Sequence, residues 1–426
     1  MEHAVQDNRR QRPLNPCELE IDLFCKGMHI DDSCNLETDS RSFAKARAGL
    51  GSGLEIVIPG EKDLWLNVPV FEHFVSSSPY KLIKEKGQYK VVDTSINHTY
   101  PVWLPASPEW FNWKTSTGAP MKEIGVLQGT YLGVYVGEVC GFWKMEPKQN
   151  CHFCATGIIV GQSGADRARK CVDDVVEVAK VAKEQSNITF THFNTGYQEG
   201  QGTEICAPFV KAIKEKVGTM VGVQAIPTQD LWKYDWLMDL GCDHFSFCYE
   251  LHNPKFFAEY LPGKQKYIQQ ETFFKALEYT SGKLGKGRCS GEIIAGIEPI
   301  EDTLKAIDYI CSVGAFPTVC IFRPVEGTVM ENAPSPQYED MRVVFKHVYE
   351  SCIKYGVPVG LVPGIEVSLV VQPDDARFLV DKNWPYYLYR AKLAMMRPVA
   401  KRIFNKQLKP RTINADADNP PYPTNK

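Results

Sequence analysis

The chain has 426 residues, 44% of them hydrophobic and 23% charged, with a formal net charge of -3. That is ordinary for a folded globular protein, long enough for one large catalytic domain with appendages, and it gives nucleic acid no electrostatic reason to be the main partner. No run of about 20 apolar residues appears, so no membrane span is expected, and the polar start MEHAVQDNRRQRPLNP lacks the apolar stretch of a secretory signal. A cytoplasmic protein is the expectation. Fourteen cysteines then stand out. In a reducing compartment they are buried apolar residues, metal ligands or catalytic groups rather than disulfides.

Residues 1–120 read as an N-terminal α+β extension. An early amphipathic stretch is followed by strand-like LEIVIPG and by YKLIKEKGQYKVVD, a hairpin with Lys-Gly-Gln at its turn. Four prolines and three tryptophans in TYPVWLPASPEWFNWKTSTGAP exclude a long helix there.

Residues 121–336 carry a repeating strand-then-helix rhythm. The apolar runs TYLGVYVGEV, NITFTHFNTG, TMVGVQAIP, HFSFCYE, RCSGEIIAGIE and TVCIFRP read as strands. Between them, DDVVEVAKVAKEQ, APFVKAIKEKV, WKYDWLMDLG, ETFFKALEYTSGKLG and EDTLKAIDYICSVG have helical periodicity. Six β/α units with continuous apolar strands predict an α/β fold, a parallel sheet curled into a partial (β/α)6 barrel, with chemistry beyond the C-terminal strand ends. Residues 337–426 form a C-terminal helical extension: the helix YEDMRVVFKHVYESCIKYG, the apolar VPVGLVPGIEVSLVV, the basic helix YYLYRAKLAMMRPVAKRIF, and a polar tail DADNPPYPTNK expected to be disordered. The basic helix, from Arg390 to Arg402, could dock a flavodoxin-type reductant or simply face solvent.

The decisive stretch is VYVGEVCGFWKMEPKQNCHFCATG. Cys151 and Cys154 form a CxxC pair, and Cys140 lies just past the first strand; three thiolates on one [4Fe-4S] cluster would leave one iron open. A CxxC pair can also be half of a structural zinc site, although no second CxxC or histidine pair at zinc-finger spacing occurs, or a redox pair at a helix N-terminus. Cys140 can also be read as a merely buried thiol.

On these cysteines the chain resembles the radical S-adenosylmethionine (SAM) superfamily, in particular its biotin-synthase-like branch. The usual CxxxCxxC spacing is exceeded, because ten residues separate Cys140 from Cys151. Phe153 matches the family's aromatic before the last cysteine. The resemblance covers roughly residues 130–330 and implies further SAM contacts. FNTGYQEGQG is similar to the loop that meets the methionyl amino group, with Thr195 and Gly196 as candidates; an ordinary strand-to-helix turn is the alternative. HFSFCYELHNP is similar to the ribose-reading segment, where Glu250 fits and Cys248 departs from the family's Asn; Glu250 could instead pair with Lys264 or Arg288. RCSGEIIAGIEPIEDT resembles the adenine-bearing strand through Gly291, Ile294 and Gly296, with Glu298 or Glu301 as its structural acid. TVCIFRPVEGT resembles the sixth strand, from which Arg323 would enter the barrel and meet a carboxylate of SAM or substrate.

The resemblance implies an enzyme that cleaves SAM reductively to a 5′-deoxyadenosyl radical and abstracts hydrogen from a small-molecule substrate. A low-potential donor of flavodoxin or ferredoxin type would supply the electron. Cys289 corresponds to a biotin synthase ligand of a second cluster, but Phe193, Asn194 and Ile226 stand where its companions would be needed, which argues against biotin synthase itself. An auxiliary cluster on Cys17, Cys25 and Cys34 would instead suggest sulfur insertion or methylthiolation; a non-catalytic metal-binding barrel is the remaining alternative.

Overall fold

The computed structural model describes residues 12–41, 43–44, 53–158, 170–362 and 364–421. The outermost N-terminal residues and the last five of the tail therefore lie outside the described residues.

A helix at Pro16–Lys26 opens the described chain, and its start is written locally. The Asn15 side chain accepts from the Glu18 N–H, the Glu18 carboxylate accepts from the Asn15 N–H, and Pro16 takes the first helical position. This helix is buried along almost its whole length. Beside it lie two small sheets. In one, Gly53–Ile58 pairs antiparallel with Leu64–Val68 and with Phe43–Ala44. In the other, Tyr80–Glu85, Gln88–Asp93 and His98–Val102 form a meander. The first turn of the meander is the expected one: Lys86 and Gly87 both have positive φ, as a two-residue hairpin loop matched to strand twist requires.

Six parallel strands follow: β1 (Tyr131–Tyr135), β2 (Phe190–Gly196), β3 (Met220–Ala225), β4 (His244–Glu250), β5 (Cys289–Ala295) and β6 (Phe316–Ile321). They stand in chain order, each pairing parallel with the next. The sheet also has a seventh strand that the periodicity did not disclose, Val126–Gln128, antiparallel on the outer edge of β1. Because the two edge strands do not pair with each other, the barrel is partial. The barrel helices are α1 (Val172–Ser186), α2 (Gly202–Lys216), α3 (Trp232–Asp239), α4 (Gln270–Leu284), α5 (Ile300–Ser312) and α6 (Tyr338–Tyr355). Successive strand side chains point alternately outward to these helices and inward to the barrel. Phe193, Val221 and Phe245 face the helices; Phe190, His192, Asn194, Ser246, Cys248, Ser290, Glu292, Thr318 and Cys320 face a cavity.

The N-terminal end of the barrel is covered by residues 358–362 and 364–374, from the apolar segment of the sequence, which form neither helix nor strand. Its backbone is tied down: Thr130 N donates to Glu366 O at 3.0 Å, Glu366 N donates to Thr130 Oγ1 at 2.9 Å, and Asn67 N donates to Ser368 O at 2.6 Å. A last helix, α7 (Trp384–Gln407), runs through Pro398 without ending. The tail expected to be disordered is docked at its start, where Asp416 O accepts from Trp236 Nε1 at 2.8 Å and Ala415 O accepts from Lys211 Nζ at 2.7 Å. A buried indole N–H needs an acceptor, and the tail backbone supplies it. No described helix is long and apolar enough to cross a membrane.

Candidate active site

The ten-residue spacer between Cys140 and Cys151 folds into a closed loop. Gly141–Lys144 makes one helical turn, and Gln149 N then returns to donate to Phe142 O at 2.9 Å. The loop is pinned to neighbouring strand ends: Gly141 N donates to Tyr197 O at 2.8 Å, His152 N to Tyr260 O at 3.0 Å, and Gly263 N to Gln149 O at 3.0 Å. Two glycines permit this crowding. A Cβ on Gly263 would lie 2.6 Å from Phe142 Cδ1, and one on Gly196 would lie 2.7 Å from the Tyr135 hydroxyl and 3.1 Å from Cys140 Cβ. Gly196 also has a φ of 59°, a left-handed conformation that glycine adopts without steric cost.

The outcome is that Cys140, Cys151 and Cys154 line one end of a single cavity of about 1380 Å³, beyond the C-terminal strand ends. The three thiols stand close enough to act on one another. Burial pushes Cys151 up, and Cys154 and Cys140 push it further; Cys154 is likewise raised by burial and by Cys140. Thiolates held together at such a place need compensating positive charge, which a metal cluster provides. The sulfurs are also met by backbone donors, Tyr197 N to Cys140 Sγ and Thr156 N to Cys154 Sγ, both at 3.4 Å; donors of this kind tune cluster thiolates. Among the described residues no three His, Cys, Asp or Glu side chains close to single-ion distance. Three thiols at one end of the cavity are a donor set that fits a [4Fe-4S] cluster with one iron left open.

Of the other residues singled out by sequence, Phe153, Gly196, Glu250, Ile294 and Arg323 line this same cavity. Glu250 takes a positive φ of 64° and is bonded to Lys264, the first of the two partners expected for it. Lys264 Nζ also donates to Cys248 O at 2.6 Å. Burial raises Glu250, with Lys264 opposing; burial lowers Lys264, but Glu250, Cys151 and Cys248 outweigh it and leave it raised. Arg288 is elsewhere, 3.4 Å from Asp243 O. Arg323 bonds to the N-terminal region, with Nη2 donating to Asn67 O and the guanidinium 5.3 Å from the Phe24 ring. Thr195 is buried on the helix side, its hydroxyl donating to Gly196 O at 2.9 Å. A Cβ on Gly291 would meet Ile310 of α5, and one on Gly296 would meet Pro336, so their open faces lie toward packed side chains. Glu298 is the structural acid, accepting from His252 N and Asn253 N at 2.9 and 2.7 Å, while Glu301 lies exposed in the first turn of α5.

The remaining cysteines separate. Cys289 is buried against Thr280 and Ser281 of α4 rather than in the cavity. Cys17 meets Glu20, Asp375 and Arg377, whereas Cys34 sits near Asp31, Ser33 and Lys84, so the N-terminal cysteines are not gathered into one site. Cys248 and Cys320 line the barrel interior.

Sequence reasoning missed the polar floor of the cavity. Glu292 accepts from Cys248 Sγ at 2.8 Å and from Ser246 and Gln224, and Gln224 in turn accepts from Asn194. Burial raises the Glu292 carboxyl against these bonds. The available signal was its acid inside the apolar run CSGEIIA, two residues before Ile294 and so on the same face. His192 is also there: its Nδ1 is 2.6 Å from the Tyr131 hydroxyl, while Nε2 is buried with no hydrogen-bond partner among the described residues. Burial holds this imidazole neutral.

No family model matches the chain. It is 25% identical over 154 residues to bacteriochlorophyllide c C-7(1)-hydroxylase of Chlorobaculum limnaeum, an alignment covering 35% of this chain and 38% of that protein. Solved structures overlap it in part. HydG, a maturase of the [FeFe]-hydrogenase, aligns with a TM-score of 0.43 and 14% identity, over 55% of this chain and 52% of its own. A radical SAM methyltransferase from Sphaerobacter thermophilus gives 0.40 and 13%, over 64% and 75%. Methylornithine synthase gives 0.39 and 15%, over 62% and 81%. The thiols of Cys140, Cys151 and Cys154 stand at the cavity mouth, Phe153, Gly196, Glu250 and Ile294 line the same cavity, and the Glu292 floor lies deeper among the strands.

Proposed function

We propose that the chain is a radical SAM enzyme that abstracts hydrogen from a small-molecule substrate held inside the barrel. One observation carries this: three thiols distant in a spacer that departs from the usual one are returned to the mouth of a large cavity by a loop hydrogen-bonded to itself and to its neighbours. When bound, the cluster and SAM supply one-electron reductive cleavage and a carbon radical. The chain's own residues do the rest. Cys140, Cys151 and Cys154 hold the cluster. Phe153, Gly196, Glu250 and Ile294 face the place SAM would occupy. Backbone contacts from Thr195, Gly291 and Gly296, and a carboxylate contact from Arg323, belong to this proposal as well.

Deeper in, Glu292 offers an acceptor and the free Nε2 of His192 a polar contact, so a substrate is oriented by its polar atoms while Phe190, Phe316 and Tyr131 keep water away. The similarity to bacteriochlorophyllide c C-7(1)-hydroxylase supports a reaction that begins at a C–H bond. A low-potential flavodoxin or ferredoxin would be the electron source. Anaerobic reconstitution tests the reading. About four irons per chain, and dithionite-dependent conversion of SAM to 5′-deoxyadenosine, are expected. A colourless protein that binds one zinc and leaves SAM intact would refute it.

A further inference from the structure

Helix α7 carries two apolar stripes, and the fold uses only one. Tyr389, Leu393 and Phe404 are buried against the protein. At 100° per residue, Trp384, Leu388, Ala391, Met395 and Val399 form a second stripe on the opposite side of the helix. These side chains stand in solvent: Trp384 is 77% exposed, Met395 74%, Val399 62% and Leu388 59%. A continuous run of large apolar groups at helical spacing is not the scattered exposure of an ordinary surface.

The charge around the stripe says what covers it. The segment Trp384–Gln407 holds six basic residues and no acidic one, in a chain whose net charge is -3. Arg390 is engaged by Asp374, but Lys392 flanks the apolar stripe, and Arg402 and Lys406 continue it toward the C-terminus, all three exposed. A second copy of the chain would bring these cations against their own kind. An anionic bilayer surface answers both features, since apolar side chains and an amphipathic Trp enter the headgroup boundary while lysine and arginine meet lipid phosphates. We propose that the outward face of α7 seats this protein on an anionic membrane surface, lying in the interface without crossing it. The proposal stands on helix geometry and charge and is independent of the reaction assigned to the barrel.

Co-sedimentation of the full chain with vesicles tests it, using phosphatidylcholine alone or mixed with phosphatidylglycerol. Binding is expected only to the anionic vesicles and should weaken as salt is raised. Replacing Leu388, Met395 and Val399 together by Gln should reduce binding at least about tenfold. The pair Arg402→Gln and Lys406→Gln should cost about fivefold per cation removed. Both variants should keep the parent's circular dichroism and melting temperature, because every altered side chain is exposed; should the triple variant lose its fold, the charge variant still decides. Equal binding to neutral and anionic vesicles, or variants that bind like the parent, overturns the proposal. So does retention by an acidic protein without any by the anionic vesicles, or dimerisation that the triple variant abolishes.

Discussion

Replacing Lys264 by Met strands a carboxylate at the cavity mouth, and the cost can be worked out. The Lys264 side chain is 6% exposed and its partner Glu250 15%, so solvent screens the pair little. Removing one member of a buried ion pair typically destabilises by about 3–5 kcal/mol. The stranded Glu250 has an escape, because it can take a proton. At pH 7 that costs about 1.36 kcal/mol for each unit above its unfolded value near 4.3, or roughly 3.7 kcal/mol. Loss of the bond from Lys264 Nζ to Cys248 O adds about 1 kcal/mol. The two routes bracket a loss of about 3–5 kcal/mol at neutral pH. The pH dependence fixes the cause. In the variant, folded Glu250 holds a proton that the unfolded chain releases, so stability rises as pH falls toward about 4.3 and the deficit against the parent shrinks. Urea unfolding of the metal-free protein, followed by tryptophan fluorescence at several pH values, reads both quantities. Adding Glu250→Gln to Lys264→Met should return about 2 kcal/mol or more, the coupling expected of a direct pair. A deficit below about 1 kcal/mol, or one that does not change with pH, would show that the pair is not buried and coupled as described.

The thiols and their surroundings give further expectations. Cys140→Ala should abolish SAM cleavage and lower bound iron after reconstitution as severely as Cys151→Ala does, measured by iron content per chain; retention of full iron would remove Cys140 from the site. Gly196→Ala should cost about 1–2 kcal/mol from its left-handed backbone alone, and it should lower iron loading because the new methyl presses on Cys140. Melting temperature and iron content on the same sample separate the two effects. Away from the mouth, Glu20 is fully buried, with neither carboxylate oxygen hydrogen-bonded among the described residues, and Asp375 stands against it. Burial, then Asp375, pushes Glu20 up; burial also pushes Asp375 up to about 6. Raised carboxyl values mean that the folded state binds protons the unfolded chain does not, so the parent loses stability as pH rises through that range. Glu20→Gln should therefore raise the melting temperature at neutral pH, with the gain fading below the unfolded carboxyl range. A gain that persists in acid would contradict this assignment.

Much of the barrel was legible because its signals are local. Strand runs such as HFSFCYE and helical periods such as EDTLKAIDYICSVG follow from side chains on two or three turns of backbone, and they recur in the structure at His244–Glu250 and Ile300–Ser312. The edge strand Val126–Gln128 was not legible, since three residues are too few to show a period and its pairing with β1 is what makes it a strand. The tail at Asp416 looked disordered by composition, yet it is held by single hydrogen bonds from Trp236 and Lys211, which no composition records.

For the site, sequence determined which chemistry was available: a CxxC pair, a third cysteine beyond a strand, and glycine-bearing loops at strand ends. Tertiary structure decided which groups share a space. It folded the long spacer back so that Cys140 meets Cys151 and Cys154, gave Glu250 to Lys264 rather than Arg288, turned Cys289 away to α4, and aimed Glu292 and His192 inward. The reason is physical. Backbone propensity and period act over a few residues, whereas inward or outward facing and ion-pair partners are set by register and packing between segments up to hundreds of residues apart.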